Sequence, residues 1–177
     1  MAAALVAGVA LVAGGCGGGE DGDASGSTAW ANDLCTAITT WKSSIDQTAL
    51  GLTSSPSREG LETAAAEARS ATQTFVDTVR ALGAPGTESG EEARAATESF
   101  ATSVESGAAE IEAAVESVSG PTGIFDAISS IRQTIAQLSE DLASTADALE
   151  GLANADDELE QSFTEASACE GVIPPVP

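Results

Sequence analysis

The 177-residue sequence contains no histidine and no tyrosine, and its other aromatic residues are only two tryptophans and four phenylalanines. Histidine is the commonest general base, an activator of nucleophiles and a frequent zinc ligand. Without it no Ser-His-Asp set is possible. The sequence also has no glycine loop ending in Gly-Lys-Ser/Thr and no Ser-x-x-Lys motif, both of which mark known catalytic sites. These absences argue against an enzyme and predict no cofactor.

Positive charge is scarce as well. Six Lys and Arg residues stand against 28 Asp and Glu residues, which gives a formal net charge of −22. A protein without a basic patch cannot displace counterions from phosphates, so we expect no nucleic-acid partner. Adsorption to anionic lipid is disfavoured for the same reason. The acidity predicts a soluble surface whose like charges repel one another. The expected partner of the protein is a protein of the cell envelope or another, cationic component.

The first 16 residues form an apolar run that leads to a cysteine. Residues 2–13 are about half as long as the roughly 20 residues that a spanning helix needs, so residues 1–15 are predicted to be a signal peptide. Residues 11–16 read Leu-Val-Ala-Gly-Gly-Cys and resemble the lipobox of exported bacterial lipoproteins. The sequence departs from the usual pattern of such signal peptides in two ways. No basic residue precedes the apolar run, and Ala13 stands where Leu or Val is commoner.

The lipobox resemblance implies cleavage before Cys16 and a diacylglyceryl group on its sulfur. Palmitate is an expected acyl chain of this group, and a second anchoring signal matters because one acyl chain alone holds a protein at a membrane only marginally. The protein is then anchored to the cell membrane, on its extracytoplasmic face. Glycine, serine and acidic residues dominate residues 17–27 and cannot bury apolar surface. Residues 16–27 are therefore predicted to be the lipidated cysteine and a flexible tether.

Residues 28–170 are predicted to form an all-α domain. Apolar residues recur there at steps of three and four, which is typical of amphipathic helices that pack as an antiparallel up-down bundle. The predicted long helices cover residues 28–52, 56–82, 87–119 and a fourth stretch from 122. Residues 171–177, with three prolines, are predicted to be a disordered tail.

Serine, proline and glycine mark the ends of these helices. Ser55 is predicted to cap the second helix, with Pro56 at its first position. Ser89 and Glu92 have the spacing of a capping box for the third helix. Gly120 followed by Pro121 is expected to stop the third helix.

The cysteines indicate how the last helix is arranged. With Cys16 lipidated, Cys35 and Cys169 remain as an even pair in an oxidising compartment. A fourth helix that continued to Cys169 would be about 72 Å long and would leave Cys169 about 35 Å beyond the level of Cys35. Since a disulfide tolerates about 7 Å between Cα atoms, we predict a break near residues 151–156, a short fifth helix and a Cys35–Cys169 disulfide. Two unpaired buried thiols are the alternative.

Three other residues are candidate ligand or polar contacts. Asp156 falls on the apolar seam of the last helix, either as such a contact or as the N-cap of a helix that follows a break. Trp30 and Trp41 either flank a small pocket or belong to the core. Glu158, Glu160 and Asp156 are the candidates for a carboxylate-only metal site, although no metal site is predicted.

The lipobox at Cys16, the opening with Trp30, Cys35 and Trp41, and a closing segment resemble the small, alanine-rich helical lipoproteins of high-GC Gram-positive bacteria. The closing segment consists of Leu159, Phe163, Ala166 and Cys169. The resemblance implies an envelope location and a helical bundle, and it implies no activity. Two functional hypotheses follow. The first is a tethered binding or scaffolding module, and the second is a carrier of a small ligand or metal ion inside the bundle.

Overall fold

The computed structural model describes residues 21–54 and 56–172. This part of the chain is all-α, as predicted, and contains no β-strand. Its helices are α1 (Asp21–Ser54), α2 (Arg58–Leu82), α3 (Gly90–Glu116), α4 (Gly120–Ala153), α5 (Asp157–Glu165) and the short 3₁₀-helix η1 (Ser167–Cys169). None of the helices among these residues is both long and apolar enough to cross a membrane. Cys16 and the signal peptide, most of the tether and residues 173–177 lie outside the described residues, so those assignments stay predictions.

The helices pack in chain order. α1 packs against α2, α2 against α3, and α3 against α4, whereas α1 and α4 make few contacts with each other. The short α5 and η1 pack mainly on α1. Large side chains of the predicted apolar stripes are fully buried between these helices, among them Leu34, Leu61, Ile131, Leu149 and Leu159. The stripes read from the sequence therefore form the core.

Two aromatic clusters lie at different levels of the bundle. Trp41, Phe75 and Phe100 form a buried trio with ring centroids 5.5 to 5.6 Å apart. Nearer the start of α1, Trp30 meets Phe163 of α5 edge to face, with centroids 6.0 Å apart. Such aromatic pairs add about 0.5–1.5 kcal/mol beyond the area they bury. They compensate in part for the many alanines in the core.

The predicted break and disulfide are confirmed. α4 ends at Ala153 and α5 begins at Asp157, so the chain turns back within the predicted window. The Cys35–Cys169 disulfide joins α1 to η1, with Cα atoms 5.0 Å apart. Gly151 lies inside α4. The break is thus set by the residues after Ala153, where Asp156 leaves the helical conformation and caps α5.

Several predicted helix ends were wrong. The cap of α2 is Ser57, whose hydroxyl accepts a 3.0 Å hydrogen bond from the Gly60 N–H, so Pro56 precedes the helix. Ser55 lies outside the described residues. Serines 55 and 57 suit a cap equally well on local grounds. The cap at Ser57 places Leu61 in the first full turn of α2, where it is fully buried.

The start of α1 also differs from the prediction. The helix begins at Asp21, so residues 21–27, which were assigned to the flexible tether, are helical. Ser27 in this segment is fully buried. The buried Ser27 shows that the end of this segment packs against the bundle, although its composition alone favours a flexible chain.

The ends of α3 and α4 need a further correction. α3 begins at Gly90 and ends at Glu116, which makes it shorter at both ends than predicted. Ser89 is its N-cap residue, but its side chain makes no capping hydrogen bond, so the predicted capping box with Glu92 is absent. Pro121 lies in the first turn of α4, where a missing N–H costs nothing. Because α3 already ends at Glu116, the predicted stop at Gly120 and Pro121 is wrong.

Candidate functional site

A cleft of about 590 Å³ lies between α1 and α2. Both helices line it with hydroxyl side chains spaced four residues apart, which places them on one helix face. α1 contributes Thr36, Thr40, Ser44 and Thr48. α2 contributes Ser70, Thr74 and Thr78. We call this feature the α1–α2 cleft.

The cleft has an apolar floor. Trp41 of α1 and Phe75 of α2 lie there, with ring centroids 5.6 Å apart, and both side chains are buried. Ala37 and Ala71, one turn earlier on each helix, also line the cleft. Their small side chains leave the space that larger residues would fill. The cleft therefore combines an apolar floor with polar walls, as ligand sites commonly do.

The indole N–H of Trp41 is buried and finds no hydrogen-bond acceptor in the part of the chain that the structure describes. A buried donor without a partner costs about 1–3 kcal/mol. Trp30 differs, because its Nε1 donates a 3.0 Å hydrogen bond to the Gly83 carbonyl of the α2–α3 connection. Of the two candidate tryptophans, Trp41 lines the cleft, and Trp30 is a core residue that fastens a loop.

The hydroxyl groups of the walls donate mostly within their own helices. Thr36 donates to the Asn32 carbonyl at 2.7 Å, and Ser44 donates to the Thr40 carbonyl at 3.0 Å. On α2, Thr74 and Thr78 do the same with the carbonyls four residues earlier, at 3.0 and 2.7 Å. Such back-bonding uses the hydroxyl proton and leaves the oxygen lone pairs unused. These four hydroxyls therefore offer acceptors more readily than donors, whereas the hydroxyls of Thr40 and Ser70 keep their protons free within the described part of the chain.

Glu67 supplies the single charge among the residues that line the cleft. Its Oε2 lies 3.5 Å from the hydroxyl of Thr48, which donates to it. No Lys or Arg belongs to the lining. Lys42, which follows Trp41 on α1, is instead paired with Asp46 at 2.6 Å. The electrostatic character of the cleft is therefore negative.

Asp156 lies in another part of the molecule and has a structural role there. Its Oδ1 accepts from the backbone N–H groups of Glu158 and Leu159, both at 3.2 Å, and thereby caps α5. Its Oδ2 accepts from the Ser89 N–H at 2.7 Å. Burial alone would raise the pKa of this carboxyl, but the backbone donors outweigh burial and hold the pKa below its ordinary value. Of the two alternatives for Asp156, the N-cap is therefore correct. Both of its carboxylate oxygens already accept hydrogen bonds from backbone N–H groups.

The structure thus does not bring the three candidate contacts together into one site. The described residues also contain no group of three Asp, Glu or Cys side chains placed to hold a metal ion, and this includes Asp156 with Glu158 and Glu160. The hydroxyl rows of the cleft were missed in the sequence. Their four-residue spacing was visible, but only the packing of α1 on α2 shows that the two rows face one space.

Comparison with known proteins gives no match. No protein-family model, no curated protein and no solved structure matches the chain.

Proposed function

We propose that the protein is a lipid-anchored binding protein on the outer face of the cell membrane, and that it binds its ligand in the α1–α2 cleft. The observation that carries the binding role is the cleft itself. It joins an apolar floor at Trp41 and Phe75 to walls of hydroxyl groups, and the covered indole N–H of Trp41 has no acceptor among the described residues.

The topology is compatible with such an anchor. α1 begins at Asp21, shortly after Cys16, whereas Cys35 and its disulfide lie near the middle of this helix. A lipid on Cys16 would hold the start of α1 nearest the bilayer. The cleft extends along α1 from Thr36 to Thr48, which is beyond the disulfide on the side away from the anchor. It therefore stays accessible to a ligand that diffuses in the envelope.

A scaffolding role is the second candidate, and the charge distribution favours it. The surface is strongly acidic, and five of the six basic residues are neutralised in ion pairs. These are Lys42, Arg58, Arg69, Arg80 and Arg94. A cationic protein would be attracted to such a surface, and its binding would weaken with salt. Crosslinking in intact cells at low and high salt tests this role. Recovery of the protein without any crosslinked partner at low salt would contradict it.

The first test of the proposed function is a native mass of the protein extracted from the membranes of its own cells. We expect the mass of residues 16–177 with attached lipid, and an additional mass that is lost on denaturation. The variant Cys16→Ala should leave the membrane fraction. An unlipidated chain that starts at Met1 would contradict the anchor.

A matched pair of variants tests the cleft. Ala71→Leu adds bulk to the lining, whereas Ala66→Leu adds the same bulk at an exposed position of α2 outside the cleft. The additional mass should be lost in the Ala71→Leu variant and kept in the Ala66→Leu variant. Retention of the mass in both variants would show that the ligand binds elsewhere.

A further inference from the structure

The α1–α2 cleft has features that select a chemical class of ligand. We infer that it binds an organic ammonium ion with an apolar body. This inference rests on the proposed function, because it takes the cleft as the binding site. It is drawn from the floor, the hydrogen-bonding state of the walls and the charge around the cleft.

The floor determines the apolar part of the ligand. Trp41, Phe75, Ala37 and Ala71 contribute only aromatic and methyl surface, apart from the covered indole N–H. A cleft of about 590 Å³ is within the range of small-molecule sites. Removing apolar area from water there is favourable, so a hydrocarbon or aromatic body supplies much of the affinity.

The walls determine which polar groups the ligand must carry. Thr36, Ser44, Thr74 and Thr78 already donate their protons to carbonyls of their own helices. Beside these four hydroxyls, a ligand acceptor would meet an oxygen lone pair with no proton between them, and among the described residues only Thr40, Ser70 and Gln47 of the walls keep unused donors. A primary ammonium group brings three donors and no acceptor, which matches these walls.

The charges determine the sign of the ligand. Glu67 is a carboxylate in the lining, and no basic residue there opposes it. The whole chain carries a formal charge of −22, so its field raises the local concentration of cations and repels anions. A carboxylate or phosphate ligand would face repulsion with no compensating group.

The test uses the variant Trp30→Phe, which makes Trp41 the only tryptophan and its emission a local reporter of the cleft. Three probes of similar shape are titrated at 0.15 M salt, namely 2-phenylethylammonium, 2-phenylethanol and 3-phenylpropanoate. We expect affinity to fall in that order, with the ammonium about threefold tighter than the alcohol, as one exposed carboxylate contact provides. The shift of the thermal midpoint of the unmodified protein gives the same comparison without any substitution.

Two isosteric variants localise the effect of charge. Glu67→Gln should abolish the preference for the ammonium over the alcohol and leave the affinity for the alcohol unchanged. Glu62→Gln removes the same charge from an exposed position of α2 outside the cleft and should preserve the preference. If the two substitutions change this preference equally, or if the unmodified protein binds the ammonium and the alcohol equally, the ligand is not selected for its positive charge. Either result overturns the ligand class without contradicting binding in the cleft.

If 2-phenylethylammonium binds neither the Trp30→Phe variant nor the unmodified protein, the inference is also overturned. The proposed function is judged separately, by whether the co-purified mass is lost in the Ala71→Leu variant.

Discussion

The carboxylate of Asp156 accepts a 2.7 Å hydrogen bond from the backbone N–H of Ser89, across 67 positions of the chain. The other oxygen of the same carboxylate caps α5. One buried side chain therefore joins the start of α3 to the break between α4 and α5. It also explains the missing capping box, because the N–H that Glu92 would have bound is the one that donates to Asp156.

Replacing this carboxylate by an amide separates its two tasks. Asn offers one acceptor oxygen, so Asp156→Asn can cap α5 or accept from Ser89 but cannot do both. We expect the free energy of unfolding to fall by about 1–3 kcal/mol at pH 7, measured by chemical denaturation. Asp157→Asn is the control, since it removes the same charge from the next, exposed residue. It should cost less than about 0.5 kcal/mol. Equal losses would show that charge, and not the two-sided cap, is what Asp156 contributes.

The same site predicts a specific dependence on pH. Because the pKa of Asp156 is lowered in the folded protein, its ionised form stabilises the fold. The contribution is complete above the ordinary Asp pKa of about 3.9, and it is lost as the pH falls below that value through the folded pKa. The difference in unfolding free energy between the unmodified protein and Asp156→Asn should therefore shrink in that acidic range. A difference that stays constant from pH 7 to pH 3 would contradict the argument.

Two glycines should respond in opposite ways to the same change. A Cβ at Gly90, the first residue of α3, would collide with the backbone carbonyl of Pro85, whereas a Cβ at Gly151 in α4 would meet nothing. Gly90→Ala must shift backbone and should destabilise the protein by about 1–3 kcal/mol. Gly151→Ala removes backbone freedom from an exposed helical position and should stabilise it by about 0.5–1 kcal/mol. Thermal midpoints of both variants measure this, and a stabilised Gly90→Ala variant would refute the close approach.

The two tryptophans allow a matched comparison of stability. Both side chains are buried, but only Trp30 has an acceptor for its indole N–H within the described part of the chain. Trp30→Phe leaves the Gly83 carbonyl without its hydrogen-bond donor, whereas Trp41→Phe removes an N–H that has no acceptor among the described residues. We expect Trp30→Phe to be the more destabilising by about 1 kcal/mol, as one net hydrogen bond contributes. Urea denaturation of both variants provides the measurement, and a larger loss for Trp41→Phe would indicate that its N–H has a partner.

Much of the architecture could be predicted because it follows from local periodicity and simple lengths. Apolar steps of three and four define a helix face wherever the helix lies, so the buried stripe of α2 from Leu61 to Val79 was readable in advance. The positions of Cys35 and Cys169 then limited how long the last helix could be. The break before Asp157 and the disulfide followed from those lengths alone.

Other features were decided by contacts between segments that are distant in the chain. On local grounds Ser55 and Ser57 are equivalent caps, and the burial of Leu61 distinguishes them. Glu92 is a possible local acceptor for the Ser89 N–H, but in the folded protein this N–H donates to Asp156, the N-cap of α5. Trp30 and Trp41 look alike as members of one helical stripe. Their difference arises because the Gly83 carbonyl lies beside one of them, and no described acceptor lies beside the other.

By itself, the amino-acid sequence determined the helices, the break, the cysteine pairing and the negative charge, because each follows from spacing or composition. Only the tertiary structure decided that the hydroxyl rows of α1 and α2 share one cleft with Trp41 and Glu67. The physical reason is that a helical face specifies which residues are neighbours along one helix, whereas the axial register and rotation of two packed helices specify which faces meet.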